Sequence, residues 1–191
     1  MNARAYRRPA GGNAMSEARY NIYKNLDELN KLPRDEAEAI FRDCCGSSEW
    51  ARQMADARPF SMLDDLYRTA EQKWFALKPA DWLEAFASHL KVDSTAQSLS
   101  KTGDSAQGSM GERTAAEMAD ESVLNDLAEA NRLYLDKFGF IFIVCATGKT
   151  AGEMLAICRA RLGNSIETEL DLAATEQSKI TSIKLDRLLE R

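Results

Sequence analysis

The sequence has little of what several specialised protein classes need. Its 25 Lys and Arg residues stand against 30 Asp and Glu residues, and the formal charge of -5 leaves no basic excess to neutralise a phosphate backbone. The longest apolar run, from Phe140 to Ala146, is far shorter than the roughly 20 residues of a membrane-spanning helix. We therefore expect a soluble protein that binds neither nucleic acid nor a membrane.

Cysteine and histidine are also scarce. Of the four cysteines, Cys44 and Cys45 are adjacent, Cys145 and Cys158 lie far from them, and the chain has a single histidine. This spacing matches no zinc site, because zinc ligands come in closely spaced Cys and His pairs. We expect no metal and no disulfide framework, but buried free thiols in a reducing, cytoplasmic compartment.

Helical periodicity, in contrast, is abundant. Hydrophobic residues make up 45% of the 191 positions, and from Tyr23 onward they recur at helical spacing. The sequence predicts a compact all-α fold with one short extended segment at Phe138–Ala146. We assign residues 1–20 to a tail outside the fold and residues 21–191 to a single helical domain, interrupted by a polar loop at residues 93–111.

Local signals predict the helix ends. Pro33, followed by Arg and two acidic residues, predicts the start of a helix that stops at Gly46. Pro79 begins another helix, which we expect to end at His89. Side chains that can cap a first helical turn predict further starts at Ser47, Ser61, Thr150 (in a capping box with Glu153) and Ser165.

The tripeptide Gly148-Lys149-Thr150 is similar to the end of a phosphate-binding loop. Such a loop needs another glycine five positions earlier, so that backbone N–H groups can wrap the phosphates, and Ile143 occupies that position. We therefore interpret the tripeptide as a turn followed by a helix cap.

His89 is the one side chain able to do imidazole acid–base chemistry near neutral pH. The spacing places it on the same helix face as Trp82 and Phe86, at a helix C-terminus, where the negative end of the helix dipole favours a protonated ring. A capping or packing role is the alternative interpretation. Glu117 also has two interpretations, because Thr114 and Glu117 have the spacing of a plain capping box.

Longer strings carry a resemblance to a known family. Four of them are Phe41–Ser48, Asp81–Phe86, Lys137–Lys149 and Glu176–Ile180. With shorter matches they extend over about Leu29 to Leu189, and they resemble the motifs of the 2-oxo-4-hydroxy-4-carboxy-5-ureidoimidazoline (OHCU) decarboxylases. These enzymes form (S)-allantoin in the last step from urate. The resemblance implies a compact all-helical fold, a small-molecule substrate, no cofactor and a homodimer.

The resemblance also implies roles for single residues. His89 takes the position of the family's catalytic histidine, and Glu117 takes that of the glutamate in its Ser-x-x-Glu-Gln motif. The resemblance implies that Phe60 lines the pocket and that Val144 lies beside the bound ring. The full set of implied substrate-binding positions is Phe60, Leu90, Thr114, Met118, Val144 and Lys184.

Three of these positions depart from the family's pattern. Leu90 replaces a proline, Met118 replaces a glutamine that hydrogen-bonds the substrate, and Lys184 replaces an arginine expected to hold the substrate carboxylate. Lysine offers a point charge where arginine offers a planar fork of donors. We predict OHCU decarboxylation, with two alternatives: a catalytically impaired relative that works as a binding or interaction protein, or a decarboxylase of a related ureido substrate.

Overall fold

The computed structural model describes residues 25–100 and 121–190, and within these ranges it has helices and connecting segments but no strand. The all-α prediction is confirmed. After α1, which includes residues 25–31, the helices are α2 (Arg34–Cys45), α3 (Ser48–Asp56), α4 (Leu63–Phe75), α5 (Pro79–Ser100), α6 (Glu121–Phe138), α7 (Ala151–Arg161) and α8 (Ile166–Leu189).

Most predicted helix ends are confirmed. Helix α2 begins after Pro33 and ends at Gly46, whose backbone takes the left-handed conformation (φ 91°) that glycine adopts without strain. The side chains of Ser47 and Ser165 accept backbone N–H bonds at the starts of α3 and α8. Thr150 forms the predicted capping box at the start of α7.

The predicted cap at Ser61 is wrong. The N-cap position of α4 falls on Met62, whose side chain makes no cap hydrogen bond. Ser61 instead donates from its backbone N–H and its hydroxyl to Oδ2 of Asp65, at 3.2 and 3.3 Å. The Asp65 carboxylate in the first turn therefore accepts hydrogen bonds from Ser61, which precedes the helix. The Ser61 hydroxyl is a donor there and does not cap the helix as an acceptor.

Helix α5 continues past His89 to Ser100, so the predicted helix end at His89 and the predicted loop over residues 93–100 are both wrong. The polar composition after His89 suggested a loop, but no glycine or proline interrupts the helix before Ser100. The rest of the predicted loop, residues 101–111, lies outside the described residues. Because His89 is inside its helix, the dipole argument for a protonated ring no longer applies.

The connection between α6 and α7 contains most of the predicted extended segment, Phe138–Ala146, but Phe138 is the last residue of α6 and the segment forms no strand. Residues 141–146 form neither helix nor strand, and a turn at 147–148 follows. Gly148 has a φ of 77°, and the N–H of Lys149 donates to the carbonyl of Ala146 at 2.9 Å. The interpretation of this stretch as a turn and a helix cap, rather than a phosphate loop, is confirmed.

Helix α8 is central to the packing. It contacts α2, α4 and α5, while α2 pairs with α3 and α6 pairs with α7. The largest fully buried apolar side chains come from most of these helices and include Phe41, Trp50, Met54, Leu66, Phe86, Tyr134 and Leu185. All four cysteines are buried free thiols, as predicted.

The three tryptophans tie helices together through their indole N–H groups. Trp50 donates to the carbonyl of Ala70 at 2.9 Å, and Trp74 donates to that of Ala174 at 2.8 Å. Trp82 donates to the carbonyl of Trp74 at 2.9 Å. Trp50 and Trp74 are buried and Trp82 is half-buried, and each has its one polar group paired, which avoids the penalty of an unsatisfied donor.

Candidate active site

His89 lies half-buried on α5, at the edge of the core. Its neighbours on the same helix face, Ala85 and Phe86, are fully buried, and Trp82 is half-buried, so the predicted shared face is confirmed. The ring therefore has the core on one side of it, where Gln177 of α8 holds it.

Gly46 brings the end of α2 against α5 next to His89. A Cβ atom on Gly46 would stand 2.2 Å from Oγ of Ser88 and 3.2 Å from the carbonyl oxygen of Ala85. Only glycine allows this approach, both because of the space and because of the positive φ. The glycine predicted as a helix stop therefore also sets the distance between two helices at the candidate site.

The histidine is held by a buried glutamine of α8. Nε2 of His89 lies 2.7 Å from Oε1 of Gln177. The amide nitrogen of Gln177 donates to the carbonyl oxygen of Cys45 and to Oγ1 of Thr181, each at 3.3 Å. Gln177 is fully buried. One amide thus joins α2, α5 and α8 at the histidine.

Lys184 lies on the same face of α8 as the glutamine. Gln177, Thr181 and Lys184 follow at i, i+4 and i+7, the spacing of one helix face. Lys184 is half-buried, and its positive charge acts on the thiol of Cys45. Burial raises the pKa of Cys45 to about 12, with smaller opposing effects from Ser47, Thr181 and Lys184. The thiol therefore stays protonated at neutral pH, whereas a nucleophilic cysteine reacts as the thiolate.

Val144 lies in a segment that is anchored on both sides. The carbonyl of Ile143 accepts a bond from Nη1 of Arg161 at 2.8 Å, and the N–H of Cys145 donates to Oε2 of Glu176 at 2.8 Å. Burial raises the pKa of Glu176, but the hydrogen bonds from Lys179 and Cys145 outweigh it and hold the pKa below its usual value. Glu176 is the residue before Gln177 on α8, so its bond to Cys145 brings the segment of the half-buried Val144 beside that helix.

The other predicted site residues are not brought to this junction by any described contact. Phe60 is buried in the core, edge-on to Phe41 at 6.3 Å, and its backbone N–H and carbonyl pair with the side chain of Asn30. Leu90 continues the backbone of α5 after His89. Glu117, Thr114 and Met118 lie outside the described residues, so the pairing of His89 with Glu117 stays a prediction.

Sequence reasoning missed the role of two buried polar residues of α8, Gln177 and Glu169. Both fall in register with the buried Ala173 and Leu185, at intervals of four residues. A polar residue on an otherwise apolar stripe needs a buried partner, and that was the available signal. The pattern shows that a partner is needed, but it does not show which distant side chain provides it.

Neither a metal cluster nor a membrane span is found among the described residues. Within those ranges, no three His, Cys, Asp or Glu side chains are grouped so that they could hold a metal ion. None of the helices described there combines the length and the apolar character of a membrane span.

Known proteins with similar sequences belong to the family that the sequence motifs resemble. The OHCU decarboxylase family model matches residues 30–186. The uric acid degradation bifunctional protein TTL of Arabidopsis thaliana is 44% identical over 153 residues, which cover 79% of this chain and 47% of that protein. The OHCU decarboxylase of Haloferax volcanii is 23% identical over 163 residues, which cover 84% of this chain and 93% of that protein.

A solved structure matches as well. The crystal structure of an OHCU decarboxylase in the presence of (S)-allantoin has 37% sequence identity and a TM-score of 0.65, and the match covers 79% of this chain and 97% of that one. The chain spans about half the length of the Arabidopsis relative (47%) and a smaller share (32%) of the bifunctional protein PucL of Bacillus subtilis. The match of the family model over most of the length, and of the fold over nearly all of a family structure, shows that this chain belongs to the OHCU decarboxylase family.

Proposed function

We propose that the protein decarboxylates OHCU to (S)-allantoin in urate degradation, and that His89 carries the proton transfers. The observation that supports this most directly is the position of His89. It is the only histidine of the chain, it is half-buried in a family fold, and its Nε2 is held 2.7 Å from a buried amide oxygen. A ring held in this way is suited to general acid–base catalysis.

The substrate itself provides the place where electrons go. When the carboxylate leaves as CO2, the electron pair of the broken C–C bond forms a C=C bond with the neighbouring ring carbon. The C=N pair moves to nitrogen, which takes a proton. Loss of the proton from the hydroxyl group then forms the carbonyl, while the neighbouring carbon takes a proton on one face. The protein must direct these proton transfers and choose that face.

Each proposed residue has a part in this sequence. His89 accepts the hydroxyl proton and returns a proton to the ring. Lys184 shares a face of α8 with Gln177, which bonds to His89, and it offsets the carboxylate charge as substrate binds. Glu117 orients the ring by analogy with the family motif. The resemblance supports contacts with the ring for the remaining positions, Phe60, Leu90, Thr114, Met118 and Val144.

The test is turnover of the freshly generated product of urate oxidation, followed by circular dichroism for (S)-allantoin. We expect His89→Ala to lose about 10²- to 10⁴-fold in kcat, the usual contribution of one acid–base group. Arg132→Met, on the exposed surface of α6, is the matched control and should keep its activity. Retention of most activity by His89→Ala would reject the assignment.

The same assay separates the two alternatives. Leu90 and Met118 favour the non-catalytic relative, and Lys184 replaces the family's arginine with a side chain of different geometry. Binding of the substrate without turnover by the wild-type protein would indicate the non-catalytic relative. Turnover of a different ureido acid alone would indicate the changed substrate.

The proposal extends to a cytoplasmic homodimer. Four free thiols suit a reducing compartment, and the family resemblance supports the dimer. Light scattering should give twice the chain mass of 21.3 kDa. The mass of one chain at micromolar concentration would contradict the dimer.

A further inference from the structure

We propose that Gln177 is a positioning residue that keeps the ring proton of neutral His89 on Nε2 and the basic lone pair on Nδ1. Its consequence for catalysis rests on the proposed function, in which His89 moves protons. The tautomer itself does not, since it follows from the contacts of the amide.

The orientation of the Gln177 amide is set at its far end. The amide nitrogen lies 3.3 Å from the carbonyl oxygen of Cys45, an atom that can only accept a hydrogen bond. Cys45 is the last residue of α2, where carbonyl groups have no partner within the helix. The amide nitrogen therefore faces Cys45, and reversing the amide would set two oxygens against each other in the core.

The amide oxygen of Gln177 then determines which nitrogen of the neutral His89 ring carries the hydrogen. With the nitrogen turned to Cys45, the oxygen Oε1 faces Nε2 of His89 at 2.7 Å. This oxygen can only accept, so Nε2 must donate and must carry the hydrogen. The other neutral tautomer would bring two acceptors together at 2.7 Å beside a fully buried side chain.

Two further features favour an orienting role. Gln177 also donates to Oγ1 of Thr181, one turn further along α8, which limits rotation of the amide. Glutamine is neutral, so it fixes the position of the ring proton without adding a charge beside the ring. The same arrangement turns Nε2 toward the core and gives Nδ1 the lone pair that an acid–base role requires.

The composition of the chain makes the test direct. His89 is the only histidine, so selective 15N-histidine labelling of the untagged full-length protein gives the signals of one ring. Long-range 1H–15N correlation spectra at a pH where the ring is neutral distinguish the two tautomers. We expect the Nε2–H pattern. The Nδ1–H pattern in the wild-type protein would overturn the proposal without the need for any variant.

Variants test the positioning role. Gln177→Met keeps the length of the side chain and removes its hydrogen bonds to His89, Cys45 and Thr181, so we expect a mixture of tautomers and a kcat lowered about 10-fold or more, with a much smaller change in KM. Thr181→Val removes the hydrogen bond from the amide nitrogen to Thr181 and leaves the one to Cys45. We expect this variant to keep the Nε2–H pattern. An unchanged kcat in Gln177→Met, alongside an inactive His89→Ala variant, would overturn the positioning role of Gln177.

The outcomes separate this inference from the proposed function. An Nε2–H spectrum with an active His89→Ala variant would reject the catalytic role of the histidine and leave the tautomer assignment in place. An inactive His89→Ala variant with an Nδ1–H spectrum would support the catalytic role of the histidine and reject the tautomer assignment.

Discussion

Glu169 and Arg161 form an ion pair that is almost entirely buried, with side chains 0% and 9% exposed. Glu169 also accepts hydrogen bonds from the hydroxyl of Tyr134 and from Nδ2 of Asn164, the latter at 2.8 Å. Arg161 reaches the carbonyl of Ile143 at 2.8 Å. This single cluster ties α6, α7 and α8 to the segment that contains Val144.

Removing the arginine alone should be costly. Arg161→Met leaves Glu169 buried without its cation, and we expect the free energy of unfolding to fall by about 3–5 kcal/mol. Chemical denaturation measures the change. Arg132→Met is the control, because Arg132 pairs with Glu129 and Asp136 while more than half exposed, and it should change stability little. Equal losses for the two variants would contradict the structural role of the buried pair.

Helix caps could be predicted from the sequence, whereas the partners of the buried polar side chains could not. The caps at Ser47, Thr150 and Ser165 involve neighbours three residues away, so local spacing predicted them. Glu169 bonds to a tyrosine 35 residues away, and Gln177 bonds to a histidine 88 residues away. Such partners depend on how helices pack, and helical periodicity alone does not determine that.

The site shows the same division. The place of His89 on the apolar face of its helix could be predicted because the spacing is periodic, whereas its catalytic role stays a prediction. The length of its helix could not be predicted from composition, since the polar residues after His89 are compatible with a loop as well as with the helix observed up to Ser100. The roles of Glu117 and Met118 came from the family resemblance alone and stay predictions.

Stability should fall at alkaline pH because of two buried thiols. Burial raises the pKa of Cys45 to about 12 and that of Cys158 to about 11, from a usual value near 9.0. Above about pH 9 the unfolded chain loses these protons while the folded chain keeps them, so the free energy of unfolding decreases as pH rises toward 11–12. Below pH 9 this contribution is fully present.

Denaturation curves at several pH values between about 8 and 11 measure this decrease. Cys45→Ala removes one of the two titrating groups, so its stability should decrease less steeply with pH than that of the wild-type protein, even if it starts lower. Other groups that titrate in this range, such as lysines, are the same in both proteins. Identical slopes would show that the thiol of Cys45 does not contribute.

Lys184 should contribute to activity through its charge. Lys184→Met should lower kcat/KM about 10-fold or more if the ammonium group offsets the substrate carboxylate. Lys184→Arg should keep at least wild-type activity, since a guanidinium group binds a carboxylate with two parallel hydrogen bonds. The allantoin assay measures both variants, with the exposed Lys31→Met as control. Full activity in Lys184→Met would place this side chain outside the binding site.

Gly46 should matter more than a glycine that only needs a positive φ. Alanine at position 46 would suffer backbone strain at φ 91° and would bring its Cβ within 2.2 Å of Oγ and 2.8 Å of Cβ of Ser88. Gly139 has a φ of 77°, and a Cβ added there would meet no atom within 4 Å, so Gly139→Ala carries the strain alone, about 1–2 kcal/mol. We expect Gly46→Ala to lose more stability than Gly139→Ala in chemical denaturation.

The same pair of variants tests whether this contact positions the histidine. Ser88 precedes His89, so displacing α5 to relieve the clash should also displace the ring and lower kcat in Gly46→Ala but not in Gly139→Ala. Adding Ser88→Gly to Gly46→Ala removes both of the closest atoms and should recover part of the lost kcat. The backbone strain and the carbonyl of Ala85, 3.2 Å from the new Cβ, remain, so recovery should be partial. If Gly46→Ala kept full kcat despite its lower stability, the close approach of α2 to α5 would serve folding and not the site.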